Sequence, residues 1–302
     1  MATPDSTPNK RLDDIRVLFI GLGQIGVHLA SHLVSDGADV IAFNRHAEKA
    51  ISWAGRTGGS YTTDPAAAVA SRNVVVTCVG NDEDLAEVFT PKFVRAIPAK
   101  ALVIDHTTAS ATGARALAAK LAEHDVSFVD APVSGGSTGA ANRKLSVMVG
   151  TNDDQIFLSA EQIMRSYAAR IVRVGTVGAG QLCKMANQVC IAGALQGVAE
   201  ALGLAIRAGL DPGVVVEALG GGAANSWQLQ NRSSFMIERK YPGGFSARLM
   251  LKDLELALAE ASRRGVEVSV AGVARDRYAS LVTAGLGEED FANIFRLVAD
   301  EM

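Results

Sequence analysis

The stretch "IRVLFIGLGQIG" (Ile15–Gly26) decides the fold. It opens with a short apolar run of strand length, interrupted only by Arg16 and closed at once by glycine. Gly21-Leu22-Gly23-Gln24-Ile25-Gly26 then reads G-x-G-x-x-G, and a helical pattern follows from about Gln24 to Val34. In that order each glycine has a mechanical task. The first permits a tight turn, the second lets a pyrophosphate approach the backbone, and the third lets helix and strand pack closely. The helix N-terminus adds unpaired N–H groups and partial positive charge. A bound dinucleotide is therefore expected at Gly21–Gly26.

Outward from this turn, strand-like runs recur at "ADVIAF" (Ala38–Phe43), "NVVVTCV" (Asn73–Val79), "ALVID" (Ala101–Asp105), "VSFVD" (Val126–Asp130), "LSVMVG" (Leu145–Gly150) and "RIVRVG" (Arg170–Gly175). Amphipathic, Ala-rich stretches such as Ser110–Glu123 lie between most of them. Apolar strands alternating with helices imply a mainly parallel sheet covered on both faces. After Gly175 the strand signals stop. Ala179–Ala208 reads as one long helix, followed by helical segments at Pro212–Leu219, Leu249–Ser262, Val270–Leu281 and Phe291–Asp300. "GGGAANS" (Gly220–Ser226) reads as a loop and "YPGG" (Tyr241–Gly244) as a turn. The fold class is thus α/β, a doubly wound Rossmann-type sheet followed by an all-α C-terminal domain. The expected division is a disordered tail over 1–13, a dinucleotide-binding domain over 14–176 and a helical substrate and oligomerisation domain over 177–302. Clefts between such domains are the usual place for a small-molecule site.

Composition narrows the function classes. The 302 residues carry 29 Lys+Arg against 32 Asp+Glu, with 48% hydrophobic and 20% charged residues. That is globular, and without basic runs it disfavours nucleic acid or anionic membrane as partners. No stretch approaches eighteen consecutive apolar residues, and the N-terminus lacks the apolar core of a secretory signal. The three cysteines, Cys78, Cys183 and Cys190, are odd in number and widely spaced without neighbouring histidines. They suggest neither a disulfide framework nor a metal site, and point to a reducing, cytoplasmic setting. Cys78 reads as a small buried residue; a thiolate role for Cys183 is the weaker of its two readings.

Two further stretches carry chemistry. The second strand ends "FNRHAEK", with Asn44 and Arg45 and no acid until Glu48. An acid there would bind a ribose 2′-hydroxyl, whereas arginine accommodates a 2′-phosphate, so Arg45 with His46 and Lys49 favours NADP, with NAD also admissible. In "GAGQLCKMANQVC" (Gly178–Cys190), Lys184, Asn187 and Gln188 fall at helical spacings that put an ammonium and amides on one face among apolar neighbours. This is either an inert polar cluster or the working end of an enzyme.

With the glycine motif, "DHTT" (Asp105–Thr108), "DAPVSGG" (Asp130–Gly136), "GAGQLCKMANQ" (Gly178–Gln188) and "LKDLELAL" (Leu251–Leu258) all in order, the chain resembles the β-hydroxyacid dehydrogenase family. That family includes 3-hydroxyisobutyrate dehydrogenases, tartronate semialdehyde reductases and L-threonate dehydrogenases. The resemblance implies that Lys184 is the catalytic lysine and Asn187 the amide that holds the substrate, with Gln188 a second candidate for that amide. It implies a substrate-carboxylate loop at Ser134, Gly135 and Gly136. Val79, Gly80 and Thr108 would contact the nicotinamide half of the cofactor, and Lys252 would reach cofactor and substrate. The implied activity is hydride transfer between NAD(P) and a small β-hydroxy acid or its semialdehyde, without decarboxylation. A lysine among apolar residues loses solvation and becomes a better proton donor and acceptor at working pH. Backbone N–H groups of a glycine-rich turn wrap a carboxylate without side-chain clash.

Some residues depart from the family's pattern. Gly139-Ala140 runs on to Arg143 and Lys144, which either add affinity for an acidic substrate or, the favoured reading, face water. "NSWQLQNR" (Asn225–Arg232) is more like L-threonate dehydrogenase-like members, and Trp227 is either a wall of the substrate pocket or a core aromatic. Polar hydroxylated acids are slightly favoured over branched aliphatic ones. Two alternatives remain: an imine reductase, against which Lys184 counts, and a catalytically silent NADP-binding protein. A homodimer or homotetramer is expected from the family's habit and the apolar face of "FANIFRLVAD".

Overall fold

The computed structural model describes residues 12–299. Among the described residues nine strands form one sheet: β1 Arg16–Ile20, β2 Asp39–Phe43, β3 Ser60–Tyr61, β4 Val74–Thr77, β5 Leu102–Asp105, β6 Ser127–Asp130, β7 Val133–Ser134, β8 Leu145–Gly150 and β9 Ala168–Gly175. Their order is β3-β2-β1-β4-β5-β6-β8-β7, with β9 against β8. Pairing is parallel from β3 through β6 and between β8 and β9; β8 meets β6 and β7 antiparallel. Side chains alternate across the strands. Val17, Phe19, Val74, Val76 and Ile104 enter one buried cluster, while Leu18, Ile20, Val75 and Val103 enter another. Each face of the sheet therefore buries its own core, which is why these strands read as continuous apolar runs. The order reverses direction at β1, so the glycine turn after β1 opens at the switch point where such sheets bind ligands.

Residue contacts divide the chain into two compact units, with the break between Lys184 and Met185. The second unit is helical: the remainder of the helix Ala179–Arg207, then Pro212–Gly220, Trp227–Glu238, Ala247–Arg263, Ser269–Thr283 and a short C-terminal pair. Leu195, Leu202, Met250, Leu254, Tyr278 and Phe295 lie in its single core. Ala179–Arg207 is, among the described residues, the one helix long and apolar enough to cross a membrane by length and composition. Its Ala192, Leu195, Ala199 and Leu202 are buried in the second unit's core, and Gln181, Lys184, Gln188 and Gln196 interrupt its apolar surface.

Several boundaries differ from the sequence reading. The ordered fold begins earlier than residue 14: Leu12 is buried and its N–H donates to the Asp36 carbonyl at 3.0 Å. The rest of the expected tail, 1–11, lies outside the described residues, as does Asp300. The helix Trp227–Glu238 was not anticipated, because its polar composition hides the period; Ser226 starts it by accepting the Leu229 N–H at 3.0 Å. The last segment is not one α-helix. It opens as a 3₁₀ turn, Phe291–Ile294, whose Ala292 N–H is held by the Asp290 carboxylate at 3.0 Å.

Candidate active site

The glycine turn has the shape its sequence demands. Gly21 sits at φ +101°, and a Cβ there would collide with the Cys78 carbonyl. A Cβ on Gly26 would collide with the Gly21 carbonyl and come within 3.1 Å of the Phe19 ring. Gly23 is different: a Cβ there would meet nothing within 4 Å. The first and third glycines thus serve the fold, and the second keeps one side of the turn open. Ile25 stands at the N-cap of the helix Gly26–Ser35 and supplies no side-chain cap. From β2, Asn44 Oδ1 accepts the Leu22 N–H at 2.9 Å, so Asn44 braces the turn directly. Arg45 is 67% exposed and pairs with Asp84 at 3.1 Å and Glu87 at 3.4 Å.

Beyond the turn, the ends of the central strands carry a polar row. Thr77, Asp105 and Asp130 stand in register at the C-terminal ends of β4, β5 and β6. Asp105 accepts the Thr77 hydroxyl at 2.7 Å and the Thr107 N–H at 3.0 Å. Burial pushes its carboxyl up to about 6, against those hydrogen bonds. Asp130 accepts the Gly178 N–H at 2.7 Å and the Gln181 N–H at 3.0 Å, capping the helix that begins at Ala179. Burial drives this carboxyl up to about 7 in spite of the two amides. Gln181, 0% exposed, then reaches back: its Oε1 accepts the Ala109 N–H at 3.0 Å and its Nε2 donates to the Thr107 carbonyl at 2.7 Å. The Thr107 hydroxyl oxygen accepts the Val79 N–H at 3.1 Å. Val79, the loop that carries Thr108, and the helix that carries Lys184 are tied together within the first unit. Lys184 itself is 6% exposed, one turn past Gln181.

Asp105, Asp130 and Gln181 lie inside the sequence motifs, which give them no role. The available signal was a carboxylate closing an otherwise apolar strand, twice. His106, inside the same motif as Asp105, forms with Tyr167 a buried pair that no local pattern signals. The His106 ring must donate from Nδ1 to the Ala131 carbonyl at 2.6 Å, so its Nε2, 2.9 Å away, accepts from the Tyr167 hydroxyl. Burial lowers the imidazole to about 4 and keeps it neutral.

The Ser134–Gly136 segment begins on the last residue of the short β7. Gly135 (φ +132°) and Gly136 (φ +63°) both need glycine's conformational freedom, and the side of Gly136 is open. Arg143, expected to face water, does so only in part. Its guanidinium donates to Asp36 at 2.8 Å, the Ser166 carbonyl at 2.7 Å and the Ser35 hydroxyl at 3.0 Å, so it ties the end of the helix Gly26–Ser35 to the turn before β8. Lys144 is exposed. Cys78 packs against the core of one sheet face, and burial pushes its thiol up to about 12.

In the helical unit the candidates form a chain of their own. Asn187 Nδ2 donates to Gln188 Oε1 at 2.8 Å, Gln188 Nε2 donates to Asp253 Oδ2 at 2.7 Å, and Lys252 Nζ lies 3.1 Å from Asp253 Oδ1. Both ends of the Gln188 amide are engaged within the protein. Asp253, 2% exposed, is the carboxylate that joins Gln188 to Lys252. Trp227 is not a core aromatic: it is 56% exposed, with the Arg232 guanidinium 5.0 Å from its ring. Among the described residues no group of three or more His, Cys, Asp or Glu could hold a metal ion.

Comparison with known proteins decides what this arrangement belongs to. Residues 16–175 match the family model of the NAD binding domain of 6-phosphogluconate dehydrogenase. Residues 178–298 match that of the NAD-binding domain of NADP-dependent 3-hydroxyisobutyrate dehydrogenase. The chain belongs to the β-hydroxyacid dehydrogenase family. An uncharacterized oxidoreductase of Shewanella frigidimarina is 44% identical over 274 residues, covering 90% of this chain and 94% of that one. The mitochondrial 3-hydroxyisobutyrate dehydrogenase of Mus musculus is 27% identical, over 94% and 87% of the two chains. The structure of the Mycobacterium tuberculosis 3-hydroxyisobutyrate dehydrogenase with L-serine superimposes with a TM-score of 0.85 at 30% identity, over 94% and 99%. As a β-hydroxyacid dehydrogenase, this protein is an oxidoreductase of CH–OH groups whose cofactor is NADP or NAD. Its own residues fit that cofactor: the second glycine leaves the open approach a pyrophosphate needs, and no side chain caps the helix behind it.

Proposed function

We propose that this β-hydroxyacid dehydrogenase interconverts a small β-hydroxy acid and its semialdehyde or keto acid, with NADP preferred, and without decarboxylation. The dinucleotide-binding domain takes in Leu12 and runs to about 176, and the helical substrate domain follows from 177. The bound cofactor supplies or accepts the hydride. Lys184 moves the accompanying proton: its ammonium gives one to the carbonyl oxygen on reduction, and its amine takes one from the hydroxyl on oxidation. The observation that carries this reading is a lysine only 6% exposed on a helix whose first turn is fixed by Asp130 and Gln181.

Asn187 keeps Oδ1 and one N–H for the substrate oxygen, since its other N–H is given to Gln188. Gln188, with both amide ends engaged, serves to fix Asn187 rather than to bind substrate itself. Ser134, Gly135 and Gly136 hold the carboxylate, with the open side of Gly136 toward it. Gly21, Leu22, Gly23, Gln24, Ile25 and Gly26 hold the pyrophosphate; Asn44 and Arg45 hold the adenosine ribose and its 2′-phosphate. Val79, Gly80, Thr108 and Lys252 are assigned to the cofactor, and Trp227 to the substrate pocket, on the family's pattern. Polar hydroxylated acids are the favoured substrates, and the working form is a cytoplasmic homodimer or homotetramer.

The test is NADPH and NADH oxidation by wild type and Lys184→Ala. It uses tartronate, methylmalonate, succinate and glyoxylate semialdehyde-type acids, with hydroxy acids run in reverse. Turnover in wild type that falls by at least about 10²-fold in the variant, with cofactor still bound, supports the reading. Equal turnover in both overturns the lysine's role.

A further inference from the structure

Gln181 has been given no chemical work, yet both ends of its buried side-chain amide are engaged in the first unit's polar network. It is 0% exposed and lies one helical turn before Lys184. Three of its hydrogen bonds leave the helix. Its N–H goes to Asp130 at 3.0 Å, its Oε1 takes the Ala109 N–H at 3.0 Å, and its Nε2 gives to the Thr107 carbonyl at 2.7 Å. The last two lie on either side of Thr108. They clamp the loop on which the nicotinamide-facing residue stands, and Thr107 passes the constraint on to the Val79 N–H at 3.1 Å. The amide is used at both ends, one as acceptor and one as donor, and among side chains of this length only a protonated glutamic acid offers the same pair. A leucine of similar size would leave a buried carbonyl and a buried N–H unpaired on opposite sides of residue 108.

We propose that Gln181 is a positioning residue for hydride transfer, setting the placement of the Thr108 loop against Lys184 through the Thr107 and Ala109 backbone. The inference rests on Lys184 being the proton-transfer group. A misplacement of about 1 Å in such a geometry reduces turnover by about 10²-fold while leaving binding largely intact. The cofactor's pyrophosphate is held elsewhere, at Gly21–Gly26, so its affinity is insulated from the clamp.

The experiment compares wild type, Gln181→Leu, Gln181→Glu and Lys184→Ala as full-length proteins saturated with NADPH. Three quantities are read: kcat and KM on the best acid of the panel above, the kinetic isotope effect with NADPH deuterated at C4, and amide exchange over residues 107–109. For Gln181→Leu the expected result is a kcat lower by about 10- to 100-fold, with KM and NADPH affinity within threefold of wild type. The isotope effect should rise as hydride transfer becomes limiting, and the Ala109 amide should exchange at least tenfold faster. Gln181→Glu guards against misfolding of the leucine variant. Its carboxyl keeps the acceptor for Ala109 and, when protonated, donates to Thr107 as the amide does, so its kcat should climb toward wild type as pH falls. A folded Gln181→Leu with kcat within threefold of wild type overturns the proposal, as does a Gln181→Glu whose kcat is flat with pH at the wild-type level. Undiminished turnover in Lys184→Ala overturns the underlying reading instead, and Ala109 exchange unchanged in Gln181→Leu then overturns the clamp as well.

Discussion

Gly23→Ala separates cofactor binding from folding at one atom. A methyl there meets no protein atom within 4 Å, and Gly23 is not among the glycines at positive φ. Stability should therefore stay within about 0.5 kcal/mol of wild type, or gain up to ~1 kcal/mol from a stiffer unfolded chain. On the proposed placement of the cofactor, the same methyl projects into the approach of the pyrophosphate. Displacing one or two charge-assisted hydrogen bonds of about 1.5–3 kcal/mol each gives a loss near 3 kcal/mol, and that is roughly 150-fold in Kd. Gly26→Ala is the control of opposite sign: its methyl collides with the Gly21 carbonyl and crowds Phe19, so overpacking should destabilise by about 1–3 kcal/mol or more. NADPH fluorescence titration gives Kd, and urea unfolding of the free proteins gives stability. A Gly23→Ala protein that binds NADPH within threefold of wild type would refute the assignment of that open side to the cofactor. A Gly26→Ala protein as stable as wild type would refute the division of labour among the glycines.

Arg45→Ala should weaken NADPH by about 10- to 100-fold, the worth of one strong charge-assisted contact, and leave NADH within threefold; paired titrations decide it. His106 has its folded value depressed to about 4 from the ordinary 6.5, so its contribution is complete above pH 6.5 and lost as pH falls toward 4. About 2.5 units correspond to roughly 3 kcal/mol, and urea midpoints across that range should show the acid-side decline in wild type but not in His106→Gln. Asp130 acts with the opposite sign: raised to about 7 from 3.8, it stabilises most below pH 3.8 and that contribution is lost as pH rises through 7. Asp130→Asn should remove this decline between pH 3.8 and about 7 in the same unfolding series. Arg143→Ala should destabilise by about 1–3 kcal/mol by removing a hydrogen bond from Asp36 and one from the buried Ser166 carbonyl, yet leave kcat/KM within threefold; a large loss of activity in a stable variant would return Arg143 to the substrate.

The β1 strand, its glycine turn and the alternation of later strands were legible because each is a local pattern. A period of two, a run length or a glycine spacing is written in neighbouring residues. The family-specific stretches around Ser134 and Lys184 were legible for the same reason, as short ordered motifs. Strand pairs too short to show a period, Ser60–Tyr61 and Val133–Ser134, were not. Nor was the helix Trp227–Glu238, whose polar surface hides its periodicity.

What the tertiary structure alone decided is which polar groups meet. Gln181 finds Thr107 from 74 residues away, Gln188 finds Asp253 from 65, and Arg143 finds Asp36 from 107. No spacing rule encodes such pairs. They form because burial makes an unpaired amide, carboxylate or guanidinium costly, and the packed chain offers one geometry in which each is satisfied. By itself, the sequence determined a dinucleotide fold and the residue types for its chemistry. Tertiary structure then turned Arg143 into a brace, engaged both ends of the Gln188 amide, and joined the Lys184 helix to the Thr108 loop.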